Sequence, residues 1–342
     1  MRLATFLQYA GDVRATVDQA VALEDAGIDM VFVAEVYGFD APTVLGFLAA
    51  RTRHVSIGPG ILPIYSRTPA LIAQTAAGLD AVSGGRAVLG LGASGPQVVE
   101  GWHGVPYDRP LERTREIVDL CRRIWRREVV TNEGLYPLPL PAGQGTGLGK
   151  PLKMLTRPVR DRIPVYLAAL GEKNVRMTAE IAEGWLPFLF LPDRADRVWG
   201  KALADGTARR DPELGPLETV AGGLLAIGDN VAALRDLARP NTALYVGGMG
   251  AKGRNFYNDV VRKYGFEAEA ERVQELYLAG HKQEAMAALP DELIELTNLI
   301  GPEGWVRDRV AAYREAGVTV LNISPVGDDP LGDVRKLKEI VA

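Results

Sequence analysis

The segment VSIGPGILPIYSRTPALIAQTAAGLDAVSGGRAVLGLG, residues 55–92, contains one strand–helix–strand unit. VSIGPGIL and RAVLGLG are short apolar runs, and PALIAQTAAGLDAVSGG between them has apolar residues at helical spacing and ends at the paired glycines Gly84 and Gly85. Short buried strands that alternate with helices are typical of a parallel sheet built from βα units. The segment therefore predicts an α/β fold.

The same alternation extends in both directions from this segment. The other predicted strands are RLATFL, MVFVA, PVYLAAL, WLPFLF, LETVAGGLLAIG and VTVLNISPVG. With the two strands of the central segment they make eight, and 342 residues suit a (β/α)8 barrel, or TIM barrel, with insertions. We therefore expect a single barrel domain over residues 1–342.

Two segments interrupt the alternation. Residues 134–160 are rich in proline and glycine, so we expect them to form an excursion outside the barrel. Residues 230–302 have helical spacing, with ALYVG as their one candidate strand, and we expect a mainly helical insertion there.

An open doubly wound sheet is the alternative to a barrel. It would place a G-x-G-x-x-G fingerprint after the first strand, where this chain has none. The string GLGASG, residues 90–95, has that spacing, but it follows the fourth strand and lacks an acidic residue at the expected ribose position. The pattern favours the barrel.

Composition excludes several functional classes. The net charge is −4 with Lys and Arg scattered along the chain, so nucleic acid is not an expected partner. No apolar run approaches the roughly 20 residues needed to span a bilayer, and the N-terminus lacks a signal-peptide pattern, so we expect a cytoplasmic protein.

Cys121, the single cysteine, lies on a predicted amphipathic helix and is expected to be an apolar filler. His54, His103 and His281 are far apart, so no metal site is predicted.

Residues that follow the strands are the candidates for chemistry, because TIM-barrel active sites lie at the carboxyl ends of the strands. GASGPQ follows the fourth strand and ALGEKN follows the fifth. Small residues expose backbone amides, and a helix N-terminus favours an anion. The two loops therefore suit one phosphorylated ligand, although tight turns alone would also explain the small residues.

Glu35 ends the apolar second strand, where a carboxylate is poorly solvated. It is a candidate proton donor or hydrogen-bond anchor, and the alternative is an ion pair with an arginine such as Arg67. Further residues that could line the mouth are Tyr37, Asp40, Tyr65, Glu100, His103 and Tyr107. Lys252 and Arg254 in the late insertion could meet an acidic ligand, or could form a solvated charged face.

Several separated motifs in one order resemble a known family. GPGILPIYSRTPALIAQTAAGLDAVSGGRAVLGLGASGPQVVEGWHG, LERTREIV, LPLPAGQGTGLGKPLKML and IPVYLAALGEKNVRMTAEIAEGWLPFLF resemble the deazaflavin-dependent branch of the luciferase-like proteins, which includes methylenetetrahydromethanopterin reductase. The resemblance implies a TIM barrel that uses coenzyme F420 as its hydride carrier, acts on a small molecule and forms a homodimer.

The resemblance also implies roles for particular residues. A non-prolyl cis peptide at Gly60–Ile61 would press on the central deazaflavin ring, and Glu35 would lie near that ring. The phosphate of the cofactor would be bound by two loops, which are Ala93, Ser94 and Gly95 after the fourth strand and Ala169, Leu170, Gly171 and Glu172 after the fifth.

The chain departs from one subgroup of this family. The sugar-phosphate dehydrogenases carry an Asp-His pair after the second strand and a glutamate near the position of Gly95, whereas here Val36 follows Glu35. The reductase subgroup fits better, which predicts hydride transfer to a C=N or C=C bond such as that of a methylene pterin or folate. The alternatives are a flavin mononucleotide (FMN) monooxygenase and a barrel that binds a metabolite without turnover.

Overall fold

A closed ring of parallel strands forms the centre of the protein. The computed structural model describes residues 1–7, 11–250 and 252–342. Its strands in this part of the chain are β1 (Arg2–Leu7), β2 (Met30–Val33), β3 (Ser56–Pro59), β4 (Leu62–Pro63), β5 (Leu89–Gly92), β6 (Val165–Ala168), β7 (Gly184–Leu186), β8 (Glu218–Ile227), β9 (Leu299–Gly301) and β10 (Val320–Pro325).

Helices follow most of the strands and cover the outside of the ring. In the described residues the α-helices are α1 (Val13–Ala26), α2 (Ala41–Arg51), α3 (Pro69–Ser83), α4 (Pro96–Gly101), α5 (Pro110–Trp125), α6 (Glu172–Ile181), α7 (Lys201–Thr207), α8 (Arg239–Ala243), α9 (Phe256–Lys263), α10 (Glu267–Leu278), α11 (Lys282–Ala287), α12 (Asp291–Leu296), α13 (Glu303–Glu315) and α14 (Pro330–Val341). None of them is long and apolar enough to cross a membrane.

The strand order confirms the predicted barrel. Neighbouring strands pair in parallel in the order β3-β2-β1-β10-β8-β7-β6-β5-β4, and β9 adds to β8. A parallel bridge between Ile57 and Ala87 joins β3 to the residues before β5 and completes the ring. β3 and β4 are two parts of one barrel strand interrupted at Gly60–Ile61, so the ring has eight such strands.

Two apolar layers stabilise the barrel. The interior is filled by Ala4, Met30, Phe32, Val88, Tyr166, Leu186, Val220 and Val320, which are all buried. A larger cluster fills the space between the strands and the helices. Because the interior is packed with side chains, ligands can reach only its ends.

Local signals in the sequence explain where the helices begin and end. Asp12 caps α1 by accepting hydrogen bonds from the amides of Arg14 and Ala15, and Gly27 ends that helix at a φ of 112°. At α3, Thr68 accepts a hydrogen bond from the Leu71 amide, and Gly84 ends the helix at a φ of 69°. The helix end predicted at the paired glycines Gly84 and Gly85 is confirmed.

Three sequence predictions differ from the structure. WLPFLF does not continue as a strand beyond Leu186, because Pro187 cannot donate to a strand ladder. ALYVG is not a strand, since Leu244–Gly248 forms a π-helix that packs so closely on α10 that a Cβ at Gly247 would lie 2.4 Å from Tyr277 Cβ. The insertion over 230–302 also contains the short strand β9, which pairs with β8.

The excursion at residues 134–160 lies between α5 and β6. Near its start, the ring of Tyr136 lies 5.3 Å from the guanidinium of Arg113, which also lies 5.7 Å from the ring of Tyr65 after β4. The later part of the excursion returns past the end of α5 to the opposite end of the barrel, where Arg160 forms an ion pair with the fully buried Asp80 of α3. Leu148 and Leu155 in this segment are largely exposed.

We predict that Gly90→Ala destabilises the protein by more than about 2 kcal/mol, because the new Cβ would lie 1.9 Å from the carbonyl oxygen of Pro59 and the barrel wall cannot close around it. Gly78→Ala is the matched control. Gly78 is exposed in the middle of α3, and an added Cβ would meet no atom within 4 Å, so we expect a stabilisation of about 0.5–1 kcal/mol. Denaturant unfolding measures both, and equal changes would contradict the argument.

Candidate active site

The floor of the barrel mouth is apolar. Phe6, Ile61 and Ala168 are partly buried and pack on the interior cluster at the carboxyl ends of the strands. The Gly60–Ile61 peptide bond is cis, as the sequence led us to expect. A Cβ at Gly60 would lie 2.3 Å from Phe6 Cε1, and a Cβ at Gly92 would lie 3.0 Å from Ile61 Cγ1. Glycine at both positions therefore lets these side chains form one continuous surface.

The two loops predicted to bind phosphate leave the sheet side by side. β5 and β6 are neighbours, with Leu91 opposite Leu167, so residues 93–95 and 169–172 begin at adjacent points of the mouth. Gly95 and Gly171 are the N-cap residues of α4 and α6, and neither makes a side-chain capping hydrogen bond. The first amides of the ten-residue α6 are thus free of a side-chain cap, and with the helix dipole they favour an anion.

Glu35 is held in a buried ion pair with Arg67. Arg67 Nη2 donates to Glu35 Oε2 at 2.9 Å, Arg67 Nη1 donates to Oε1, and the Ala41 amide donates to Oε2 at 2.9 Å. The side chains of Glu35 and Arg67 are only 8% and 13% exposed. Among the described residues, every hydrogen-bond partner of this carboxylate is a donor, and both of its oxygens are bonded. The ion pair that the sequence left as an alternative is confirmed, and proton donation by Glu35 would require these bonds to break.

Comparison with known proteins gives a consistent result. Residues 1–320 match the model of the family described as luciferase-like monooxygenase. The chain is 42% identical over 322 residues to a putative coenzyme F420-dependent oxidoreductase of Mycobacterium tuberculosis, with 92% of each chain covered. It is 28% identical over 327 residues to 5,10-methylenetetrahydromethanopterin reductase of Archaeoglobus fulgidus, covering 93% of this chain and 92% of the relative.

A solved structure supports the same fold. The coenzyme F420-dependent tetrahydromethanopterin reductase of Methanopyrus kandleri superposes with a TM-score of 0.78 at 22% identity, over 99% of this chain and 98% of that chain. The chain belongs to the luciferase-like family. Because relatives that cover more than nine-tenths of the chain are named as a putative coenzyme F420-dependent oxidoreductase and as methylenetetrahydromethanopterin reductase, the branch identified from the sequence is also confirmed.

Two tryptophans that no sequence motif marked fix one loop of this luciferase-like barrel. Trp185 Nε1 donates to the carbonyl of Ala169 at 2.9 Å, and Trp199 Nε1 donates to the carbonyl of Leu170 at 2.9 Å. Both indoles are almost fully buried. By binding these carbonyls they set the orientation of the peptide planes that lead into α6. No spacing rule predicts this, since the two indoles lie well beyond the loop in the sequence.

Other candidate residues of the luciferase-like mouth have structural partners. Asp40 caps α2, accepting a hydrogen bond from the Thr43 amide at 3.1 Å. Tyr65 donates its hydroxyl to the carbonyl of Asp108 at 2.7 Å, and its ring lies 5.3 Å from that of Tyr107. These contacts join the segments after β4 and α4. Tyr37, by contrast, is exposed.

Three further candidates differ in their surroundings. Glu100 accepts a hydrogen bond from the Tyr107 amide at 3.2 Å, and His103 Nε2 is buried without a hydrogen-bond partner. Lys252 forms ion pairs with Glu275 and Glu271 on the surface. Cys121 is fully buried, and burial raises the pKa of its thiol, so the prediction of an apolar filler is confirmed.

We predict that Arg67→Met lowers the free energy of unfolding by about 3–5 kcal/mol, because it leaves the buried Glu35 carboxylate with the Ala41 amide as its one remaining donor among the described residues. Adding Glu35→Gln in the same chain should recover part of the loss, since no unpaired charge then remains buried. The exposed ion pair of Arg51 with Asp18 provides the control, and Arg51→Met should cost less than about 1 kcal/mol. Equal losses for Arg67→Met and Arg51→Met in denaturant unfolding would refute the buried pair.

Proposed function

We propose that this protein is an F420-dependent oxidoreductase that transfers a hydride between the deazaflavin and a small organic substrate. The observation that carries the proposal is the juxtaposition of the apolar floor around Ile61 with the two uncapped loops after β5 and β6. A flat apolar surface beside anion-binding amides suits a ligand that combines a planar ring with a phosphate. Coenzyme F420 has both parts.

Different residues of this chain would bind the ring and the phosphate of the cofactor. Gly60 and Ile61 would meet one face of the ring. The backbone amides of Ala93, Ser94 and Gly95 and of Ala169, Leu170, Gly171 and Glu172 would bind the phosphate. Glu172 would act through its amide, because its side chain is exposed and a carboxylate would repel an anion. When bound, the reduced deazaflavin supplies the hydride.

For the substrate we propose a C=N or C=C bond, as in a methylenetetrahydromethanopterin or methylenetetrahydrofolate reductase. Support comes from the relative of that name at 28% identity and from Val36, which stands where the alcohol-oxidising subgroup has histidine. Hydride would add to the carbon, and the proton that completes the reduction would come from solvent. Glu35, whose two oxygens are both bonded to Arg67, would position the surrounding loops and the substrate.

An FMN-dependent monooxygenase of the same family is the second candidate. The apolar floor fits a flavin ring as well, and the family model that matches is named for monooxygenases. We also propose that the protein forms a homodimer, has no nucleic-acid partner and is located in the cytoplasm.

We predict that the purified protein binds coenzyme F420 with micromolar or tighter affinity and binds FMN much more weakly, as measured by fluorescence titration. Reduced F420 should then be oxidised when a methylene pterin or methylene folate is added, at a rate followed by the return of F420 absorbance. Preferential binding of FMN, with oxygen consumed in the presence of reduced flavin, would instead identify a monooxygenase.

We predict that Trp199→Phe weakens F420 binding about tenfold, because the carbonyl of Leu170 loses its donor and the loop before α6 is released. Trp125→Phe is the matched control. Trp125 is equally buried and donates to the carbonyl of Ala73 at 3.0 Å, between α5 and α3 and not to either phosphate loop, so its replacement should lower stability similarly without changing F420 affinity. An unchanged affinity in Trp199→Phe would show that this hydrogen bond does not position the loop.

A further inference from the structure

Four large aromatic side chains around the mouth are exposed to solvent. Tyr37, Phe39, Trp102 and Phe256, which we call the aromatic rim, are between 63% and 66% exposed. Tyr37 and Phe39 lie in the loop after β2, Trp102 follows α4, and Phe256 begins α9. Three of the four other tryptophans, at 125, 185 and 199, are almost completely buried. Clustered exposed aromatics mark binding surfaces more often than they serve the fold.

The aromatic rim borders the proposed cofactor site. The rings of Tyr37 and Trp102 lie 6.4 Å apart at 59°, so the loops after β2 and α4 meet there. On the other side, a Cβ at Gly171 would lie 3.4 Å from Phe256 Cε1, which puts Phe256 beside the loop before α6. The rim therefore approaches the floor from the β2 side and from the β6 side.

The two acidic side chains of the loop after β2 already have partners within the protein. In the loop that carries Tyr37 and Phe39, Glu35 is paired with Arg67, and Asp40 accepts hydrogen bonds from the amide and hydroxyl of Thr43. An ionic substrate would gain little from these groups. A flat uncharged ring would gain from each aromatic side chain that it covers.

We propose that the aromatic rim binds the substrate and that the part of the substrate meeting it is an uncharged, planar, fused-ring system. The inference rests on the proposed function, because the rim borders the site where the hydride would be transferred. It narrows the substrate class, since small alcohols have no extended flat surface to cover the rim and phosphorylated sugars are strongly anionic.

The test uses Nile red, an uncharged planar fused-ring dye that fluoresces strongly in apolar surroundings and is excited at wavelengths where protein and F420 do not absorb. The dye is titrated into the full-length protein with and without saturating F420. We expect saturable binding that persists with F420 present. The triple variant Tyr37→Ser, Phe39→Ser, Trp102→Ser should weaken it about tenfold or more.

The matched control removes three exposed leucines at the opposite end of the barrel, in Leu148→Ser, Leu152→Ser, Leu155→Ser, and should bind the dye as the wild type does. Equal weakening in both variants, or none in the rim variant, would overturn the inference. So would displacement of the dye by F420, which would assign the rim to the cofactor, or dissociation of an oligomer in sedimentation of the rim variant, which would assign it to a subunit contact.

Binding of F420, read from its own fluorescence in the same samples, separates this inference from the proposed function. Intact F420 binding with a failed dye test removes only the inference about the substrate. Failure of F420 to bind the wild type removes the proposed function, whatever the dye does.

Discussion

The close approach of backbone on either side of Gly60–Ile61 is the constraint on which the site depends. A Cβ at Gly58 would lie 2.4 Å from the carbonyl oxygen of Val88, and one at Gly90 would lie 1.9 Å from that of Pro59. Side chains at these positions would hold β3 away from β5 and leave the barrel open. Closure requires glycine here, and it also brings Ile61 against Gly92, where the apolar floor forms.

Hydrogen bonds from side chains outside the mouth then fix the loop that precedes α6. Trp185 and Trp199 lie in the core between strands and helices, yet each donates to a carbonyl of the loop before α6. Stability and ligand binding are therefore coupled at these indoles, since the same side chains fill the core and orient the loop. A site supported in this way needs few polar side chains of its own, because its binding groups are backbone amides.

Sequence patterns predicted the barrel better than they predicted the site. The eight barrel strands follow from apolar runs between helical segments, whereas the cis peptide bond at Gly60–Ile61 was expected only from the family resemblance. The prediction of a strand at ALYVG failed because Gly247 in this segment packs closely against Tyr277 of α10, and tertiary packing outweighs local propensity. β9 was missed because three residues carry no periodicity. At the mouth, the sequence did not decide whether Glu35 is a proton donor or part of an ion pair. It also did not identify Phe39 or Phe256 as exposed residues of the mouth, because the exposure of a side chain depends on how the loops fold.

The ion pair of Glu35 with Arg67 links the floor to the aromatic rim. A buried pair adds little to stability compared with apolar side chains of the same size, so its presence at the mouth calls for a positional reason. Arg67 follows the segment that carries Ile61, and Glu35 begins the loop that carries Tyr37 and Phe39. Arg67 also donates to Ser66 Oγ at 2.9 Å, and the Ala41 amide joins Glu35 to the start of α2. Because these hydrogen bonds are directional, they fix the segment after β4 relative to the loop after β2. Apolar contacts have no such directionality and would not fix this geometry. The pair therefore sets the distance between the surface that would hold the ring of the cofactor and the side chains that would hold the substrate, and hydride transfer depends on that distance.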